Sequence, residues 1–231
     1  MDHAVAFEFD KSTRKWYGLA GVSLDAPPGS YMLELKGTTP NQELVFQRNL
    51  MVRAAKYPRI AVRVAKKFTE PNAEQLQQIK QDQAVKEEHF RSVDPKREWS
   101  GRFLAPVNAS VSDVFGTRRI FNGKVQSTHQ GLDYAVPSGT PVLAVNAGTV
   151  LLARPMYFEG NCVVLDHGQG LLTLYLHLSE FEVKEGDRLT RGQQLGLSGG
   201  SGRATGPHLH VAVRWEEIYL NPASLMKLKL P

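Results

Sequence analysis

The sequence is poor in cysteine and has no long apolar run. Cys162 is its only cysteine, which excludes an intrachain disulfide and a cluster of thiolates around a metal. The longest apolar run, LLTLYL before His177, is far shorter than the roughly 18 residues of a membrane-spanning helix, so no membrane span is predicted. Residues 1–20 lack the apolar centre of a signal peptide. If the protein is exported, we expect its targeting segment to lie outside this sequence.

Charge of one sign is not concentrated either. The formal net charge is +5, and the excess is shared between residues 1–98 and residues 99–231. A nucleic-acid partner is therefore not expected. One basic stretch without acids, residues 51–69, has the spacing of a solvated strand face, with contact to an anionic polymer as the alternative.

What the sequence does contain is a series of short strands broken by turns. Residues 1–70 alternate strand patterns such as AVAFEF and RIAVRVA with the turn formers DKSTRK and DAPPGS, which is typical of a small β-sandwich. We predict a small Ig-like β domain over residues 1–70. Its edge strand could lie outside the sequence, because the first strand begins almost directly after Met1.

Residues 71–98 are predicted to be a helix and a linker. From Pro71 to about Ser92 the composition changes to Glu, Gln, Lys and Ala, and Thr69 and Pro71 suit a helix start. The helix is too polar to form a core of its own, so we expect it to lie on one of the two domains.

Residues 99–231 return to strand patterns, with a helical period only in NPASLMKL near the end. The strand patterns are PVLAVNAGTVLLA, NCVVLDHG, LLTLYLHL and HLHVAVRW. They predict a compact antiparallel β domain. The whole chain is therefore expected to be all-β, with a small β-sandwich-like domain and a connecting helix before the larger domain.

Histidines and an aspartate stand in patterns that suit a metal site. In HLH, His208 and His210 project from the same face of a strand, about 7 Å apart along the chain. His129 and Asp133 lie in a glycine- and proline-rich segment, which favours a loop running into the strand LDYAV. With one histidine of HLH they give three zinc ligands and leave a fourth position open, as in catalytic sites. Spacing alone leaves open which histidine of HLH is the ligand.

A further histidine, His177, lies in the strand pattern LYLHLSE, where alternation turns it away from Leu176 and Leu178. Alone it is typical of a structural residue, but beside HxxxD and HxH it becomes a candidate for catalysis. Zinc brings the pKa of bound water towards 7 and polarises a carbonyl, and two further histidines could take up and return protons. Peptide hydrolysis needs these functions together.

Four motifs, in this order, resemble the lysostaphin-type zinc endopeptidases of bacterial cell walls, family twenty-three of the metallopeptidases. The motifs are HxxxD at residues 129–133, YLHLS around His177, GQQLGLSG at residues 192–199 and TGPHLH at residues 205–210. The resemblance covers about residues 102–225. It implies a groove in the antiparallel β domain and a peptidoglycan cross-bridge or stem peptide as substrate, in the periplasm or at the cell surface.

The resemblance also implies a role for each site residue. His129, Asp133 and His210 would hold one Zn²⁺, and His177 and His208 would be the catalytic pair. FGTRR at residues 115–119 also resembles the family, so Arg118 or Arg119 is a candidate to face the groove. The oligomeric state is left open.

Two other functions remain possible from the sequence. The first is a non-enzymatic wall-binding or amidase-activating protein, with the groove blocked by the N-terminal domain or by the linker DPKREWSGRF. The second is a related zinc carboxypeptidase of stem peptides.

Other motifs have a structural interpretation. His167, in the turn DHGQG, is expected at a hairpin end, and His3 and His89 are expected to face solvent. The glycine-rich GGSGRATG, residues 199–206, lacks the GK[ST] ending of a phosphate loop and is expected to form a flexible wall of the groove.

Overall fold

The structure, a computed structural model, describes residue 5 and residues 7–38, 41–91 and 94–230. The prediction for His3 falls outside the described residues. The first elements are β1 (Phe7–Asp10), β2 (Lys15–Gly18), β3 (Gly29–Thr38), β4 (Glu43–Val52), β5 (Arg59–Val62), a 3₁₀ turn (Lys66–Phe68) and α1 (Ala73–His89). They are followed by β6 (Val111–Asp113), β7 (Arg118–Phe121), β8 (Val125–Thr128), β9 (Gly131–Tyr134), β10 (Pro141–Leu143), β11 (Gly148–Met156) and β12 (Gly160–Asp166). The last are β13 (Leu171–Leu178), β14 (Glu180–Phe181), β15 (Arg188–Leu189), β16 (Gln194–Leu197), β17 (Leu209–Trp215), β18 (Ile218–Leu220) and α2 (Pro222–Lys227).

The described residues before α1 form two hairpins and one strand, β5, that pairs with the C-terminal part of the chain. The C-terminal part comprises the elements after α1, from β6 to α2. β1 pairs with β2 and β3 with β4, both antiparallel. The side chains of these hairpins are mostly exposed. β5 instead pairs in parallel with β7, with Ile60 opposite Arg119. The N-terminal stretch therefore shares a sheet with the rest of the chain. The division into an Ig-like domain over residues 1–70, a helix and linker over residues 71–98 and a larger domain over residues 99–231 stays a prediction.

The helix α1 lies on the C-terminal part. Asn72 caps it, accepting from the Gln75 N–H at 2.9 Å while its own N–H donates to Gln75 Oε1 at 3.0 Å, an arrangement that satisfies two free donors of the first turn. Near its other end, Lys86 Nζ donates to Glu159 Oε1 at 2.5 Å. This bond ties α1 to the turn between β11 and β12.

The C-terminal part is built on one sheet of eight strands. Its order is β15-β11-β12-β13-β17-β9-β6, with β18 also paired to β17. Every residue of β13 is buried, because both faces of the sheet are covered. Tyr175 packs in the larger apolar cluster on one side, and Leu174 packs on the other side in a cluster that Val85 of α1 also contacts.

The linker DPKREWSGRF packs on the core. Trp99 and Phe103 are buried, and each contributes roughly 1.5–3 kcal/mol through burial of its side chain. The Phe103 ring meets the His167 ring edge-on at 5.6 Å between centroids. No described linker residue lines the cavities around the histidines at the site described below.

The predicted all-β class with antiparallel sheets is confirmed, and the one parallel pair is β5 with β7 among the described strands. In the described part of the chain, no helix is both long and apolar enough to cross a membrane.

Candidate metal centre

Two strands of the main sheet place Asp133 and His210 side by side. β17 pairs with β9 so that His210 lies opposite Asp133, and side chains of directly opposed residues share one face of the sheet. His210 Nδ1 lies 2.7 Å from Asp133 Oδ1. Gly131 makes room for this ring, because a Cβ there would lie 2.6 Å from His210 Nε2.

His129 reaches the same point from the end of another hairpin. Its N–H donates to the Thr117 carbonyl, and its own carbonyl accepts from the Gly116 N–H, both at 2.8 Å, so the backbone extends the β7–β8 pairing. The Nδ1–H of His129 donates to the Val114 carbonyl at 2.8 Å. Since a carbonyl oxygen only accepts, this bond places the proton of the neutral ring on Nδ1 and leaves a lone pair on Nε2.

Three ligand atoms therefore converge. His129 Nε2 lies 3.0 Å from Asp133 Oδ1 and 3.0 Å from His210 Nδ1. His129 Nε2 and Asp133 Oδ1 are both acceptors, and the two side chains are almost completely buried. Two buried acceptors this close cost free energy unless a positive charge lies between them. A zinc ion, which binds imidazole nitrogen and carboxylate oxygen at about 2.0–2.2 Å, fits this donor set. These are the three residues that the sequence predicts as metal ligands.

Arg119, which a second aspartate holds in turn, binds the carboxylate oxygen of Asp133 that does not contact the two imidazoles. Arg119 donates to the other oxygen of Asp133, Oδ2, and its Nε donates to Asp113 Oδ2 at 2.8 Å. Asp113 also accepts from Thr117 Oγ1 at 2.6 Å. Because Arg119 engages only Oδ2, Oδ1 of Asp133 stays directed at the two imidazoles. Of the two candidate arginines, Arg119 is thus the one at the site, and Arg118 is exposed.

A β-bulge places His177 next to this cluster. Tyr175 lies opposite Val163 but Leu178 lies opposite Asn161, so β13 carries one extra residue between these points. His177 takes φ 64°, a left-handed conformation that costs a residue with a side chain roughly 1–3 kcal/mol. Bulges re-aim side chains, and this one interrupts the alternation predicted for LYLHLSE.

The rings of the two remaining histidines contact each other at an interplanar angle of 44°, and one loop orients both. The rings of His177 and His208 lie 4.7 Å apart between centroids. His177 Nδ1–H donates to the Ser201 carbonyl at 2.8 Å, and His208 Nδ1–H donates to the Gly206 carbonyl at 2.9 Å. In its neutral form, each ring consequently carries a lone pair on Nε2. The glycine-rich segment 199–206, expected only as a wall of the groove, sets the tautomer of both.

Burial favours the neutral form of His177 and His210. It is the largest effect on His177, with the charge of His208 next, and together they lower the pKa of His177 to about 3. Burial also lowers the pKa of His210, against the neighbouring Asp133. Burial raises the pKa of Asp133, but the two imidazoles outweigh it and hold that pKa well below its usual range. A neutral imidazole is the form that binds a metal or accepts a proton.

Two adjoining cavities surround the five predicted residues. The first, here the His177 cavity, is lined by His129, His177 and His210 among others, and the second, the His208 cavity, by Asp133 and His208. Arg119, Phe121 and Arg203 line both. The structure thus brings all five residues together.

Other candidates lie apart from the cluster. His167 is fully buried between the Ala147 carbonyl and Thr173 Oγ1, and burial lowers its pKa to about 4, so its role is structural. The ring of His89 contacts the Val85 carbonyl of its own helix. Cys162 is buried, which raises the pKa of its thiol.

Sequence reasoning missed three supporting features. Asp113 stands in an ordinary strand pattern, and only the fold brings it to Arg119. The carbonyls of Ser201 and Gly206 are backbone groups, and no side-chain pattern in the sequence marks them. Arg203 carried a weak signal, as the one charged residue within the glycine-rich segment before TGPHLH.

Comparisons with known proteins agree with this geometry. The sequence profile of Peptidase family M23 matches residues 127–222. The peptidoglycan DD-endopeptidase ShyA of Vibrio cholerae is 42% identical over 129 residues, which are 54% of this chain and 29% of ShyA. The chain therefore spans less than a third of the length of this relative.

Two solved structures are also similar. A candidate M23 peptidase from Pseudomonas aeruginosa superposes with a TM-score of 0.73 and 29% identity, covering 96% of this chain and 83% of that one. A zinc-containing peptidase from Vibrio cholerae has a TM-score of 0.51 and 34% identity, covering 58% of this chain and 41% of that one. The C-terminal part of this chain belongs to Peptidase family M23.

Proposed function

We propose that this protein is a zinc-dependent endopeptidase that hydrolyses peptide bonds of bacterial peptidoglycan. In this proposal His129, Asp133 and His210 hold one zinc ion, and His177 and His208 are the catalytic pair. The single observation that carries it is the convergence of three buried ligand atoms within 3.0 Å of one another, next to two histidines whose rings are in contact and line adjoining cavities.

When bound, zinc supplies a Lewis acid for the carbonyl under attack and lowers the pKa of water towards 7. The chain's own residues supply the proton transfers. His177 and His208 both hold a proton on Nδ1 through backbone carbonyls, which leaves Nε2 of each ring to accept a proton. The same atoms can return a proton to the departing amine. A second positioned donor in a buried site also stabilises developing negative charge.

The substrate and location follow from the family and from the relatives. ShyA is a peptidoglycan DD-endopeptidase, so we infer a peptidoglycan peptide as substrate and the cell envelope as the place of action. The finer assignment, periplasm or cell surface, is part of the proposal. The linker packs on the core instead of on the histidines, which favours an enzyme over a form blocked by the linker. From the N-terminal stretch, Ile60 and Val62 of β5 line the His208 cavity.

The proposal is tested on a defined peptide-cross-linked muropeptide dimer with the full chain. We expect cleavage of the dimer into monomers, loss of cleavage on addition of a chelator, and its return on addition of zinc, as followed by mass spectrometry of the products. Release of terminal D-alanine with the cross-link intact would instead identify a carboxypeptidase. No cleavage by zinc-loaded protein would support the non-enzymatic function.

Asp113→Asn is expected to weaken zinc binding by about 10- to 100-fold, the usual effect of removing a group that orients a ligand. The substitution removes a negative charge near the metal and leaves Arg119 with Asp133 as its only carboxylate partner, so Arg119 competes more strongly for that ligand. Competition with a chromophoric chelator measures the affinity. Asp187→Asn, in an exposed turn where the carboxylate accepts from the Lys184 N–H, is the matched control. Equal affinities in both variants would contradict the orienting role of Asp113.

A further inference from the structure

Arg203 is held between two aromatic rings at the rim of the site. Its guanidinium carbon lies 4.4 Å from the ring centroid of Phe121 and 4.6 Å from that of Phe158. Its backbone N–H donates to the Phe158 carbonyl at 2.8 Å. Planar guanidinium groups stack well on aromatic faces, and the stacking fixes the direction of the N–H donors.

The two rings are themselves fixed. Phe121 ends β7 and is buried. Phe158 stands in the turn after β11, where it contacts the rings of Tyr157 at 5.0 Å and Phe68 at 6.4 Å between centroids. The N-terminal part, through Phe68, thus supports the Arg203 side chain.

The neighbouring charges are already paired, but that of Arg203 is not. Arg119 is engaged by Asp113 and Asp133, and Glu159 by Lys86. No ion pair among the described residues includes Arg203. Burial lowers its pKa from the usual value, with Glu159 opposing and Arg119 adding to the effect, yet an arginine stays charged in proteins. A half-buried cation is therefore left without a carboxylate.

This unpaired charge borders both cavities. Arg203 lines the His177 cavity beside His177 and His210, and the His208 cavity beside Asp133 and His208. A peptide lying across the two cavities would pass the guanidinium. An arginine with free, oriented donors binds a carboxylate with two parallel hydrogen bonds.

We propose that Arg203 is a specificity-determining residue that binds a free carboxylate of the substrate peptide. The inference rests on the proposed function for its substrate, a peptidoglycan peptide that lies in the groove. Phe121 and Phe158 hold the guanidinium in place, so that little side-chain entropy is lost when the carboxylate arrives. Peptides with this carboxylate free are preferred over peptides with it amidated.

The test compares two muropeptide dimers that differ only in whether the acidic carboxylates near the cross-link are free or amidated. For the full chain we expect kcat/KM to be about 10- to 100-fold higher for the free form, as for a charge-assisted bond. Arg203→Gln should reduce this ratio to about one, and Arg203→Lys should keep part of it. Arg154→Gln, which breaks an exposed ion pair with Glu185, should leave the ratio unchanged.

The dissociation constants of the same two peptides, measured by calorimetry on protein kept metal-free with a chelator, give a readout that does not need turnover. Tighter binding of the free form that depends on Arg203, together with no cleavage of either dimer by the zinc-loaded protein, would support the carboxylate site and reject the peptidase function. Cleavage of both dimers at equal rates and with equal affinities would overturn the carboxylate site and leave the peptidase function standing. The carboxylate site would also be overturned if Arg203→Gln lowered kcat/KM by the same factor on both dimers. That result would indicate that Arg203 only anchors its loop.

Discussion

His210→Ala is expected to leave the protein without bound zinc and without peptidoglycan hydrolysis. His210 Nδ1 lies within 3.0 Å of both other ligand atoms, so its loss leaves two protein ligands where catalytic zinc sites have three. Loss of an outer group that merely orients a ligand already costs about 10- to 100-fold in affinity. We expect a larger loss for a direct ligand, measured by metal analysis of the purified protein and by chelator competition.

His208→Ala is the matched control, since it lies in the same HLH motif two residues away. His208 Nε2 is 3.9 Å from Asp133 Oδ2, and its Nδ1 is directed at the Gly206 carbonyl, away from the ligand atoms. This variant should keep zinc and lose hydrolysis. Zinc retained by His210→Ala, or lost from His208→Ala at the same zinc concentration, would reverse the division of roles within HLH.

His177→Asn is expected to lower kcat by about 10²- to 10⁴-fold, the range for loss of a general acid or base, while zinc content and melting temperature stay close to those of the original protein. The choice of asparagine matters. His177 has φ 64°, and asparagine tolerates the left-handed region far better than most residues with a side chain. The variant therefore removes the imidazole without adding backbone strain.

Two comparisons make this result interpretable. Gln169→Asn places the same residue at another left-handed position, φ 55°, in the turn between β12 and β13, and should leave kcat unchanged. His177→Val places a β-branched side chain in the bulge and should lower the melting temperature. If His177→Asn keeps its zinc and its kcat, His177 has no part in proton transfer.

The folding class and the candidate residues could be predicted from the sequence because they depend on local patterns. Alternating apolar residues identify the strands of residues 99–231, and Gly131 and its neighbours correctly favour a loop into β9 over a helix around His129 and Asp133. The family membership predicted from the four motifs is confirmed. The helix start was less accurate, since Asn72 rather than Thr69 caps α1.

Long-range pairing could not be predicted in the same way. The extra residue that re-aims His177 is visible only when β13 is set against β12. Some contacts between near neighbours were equally hidden: Asp113 meets Arg119 six residues away, and the carbonyls that hold the two catalytic candidates come from residues with no recognisable side-chain pattern. A single sequence records none of these registers.

By itself, the sequence determined which residue types are available and how far apart they stand along the chain: HxxxD, His177 and HxH, in an antiparallel β domain with a single cysteine. The tertiary structure decided their directions. Register places His210 opposite Asp133, while His208 lies one residue before β17, in an isolated bridge with Gly199. Two histidines that are equivalent by spacing are thus distinguished because the strand begins between them, and only the pairing of distant segments sets where a strand begins.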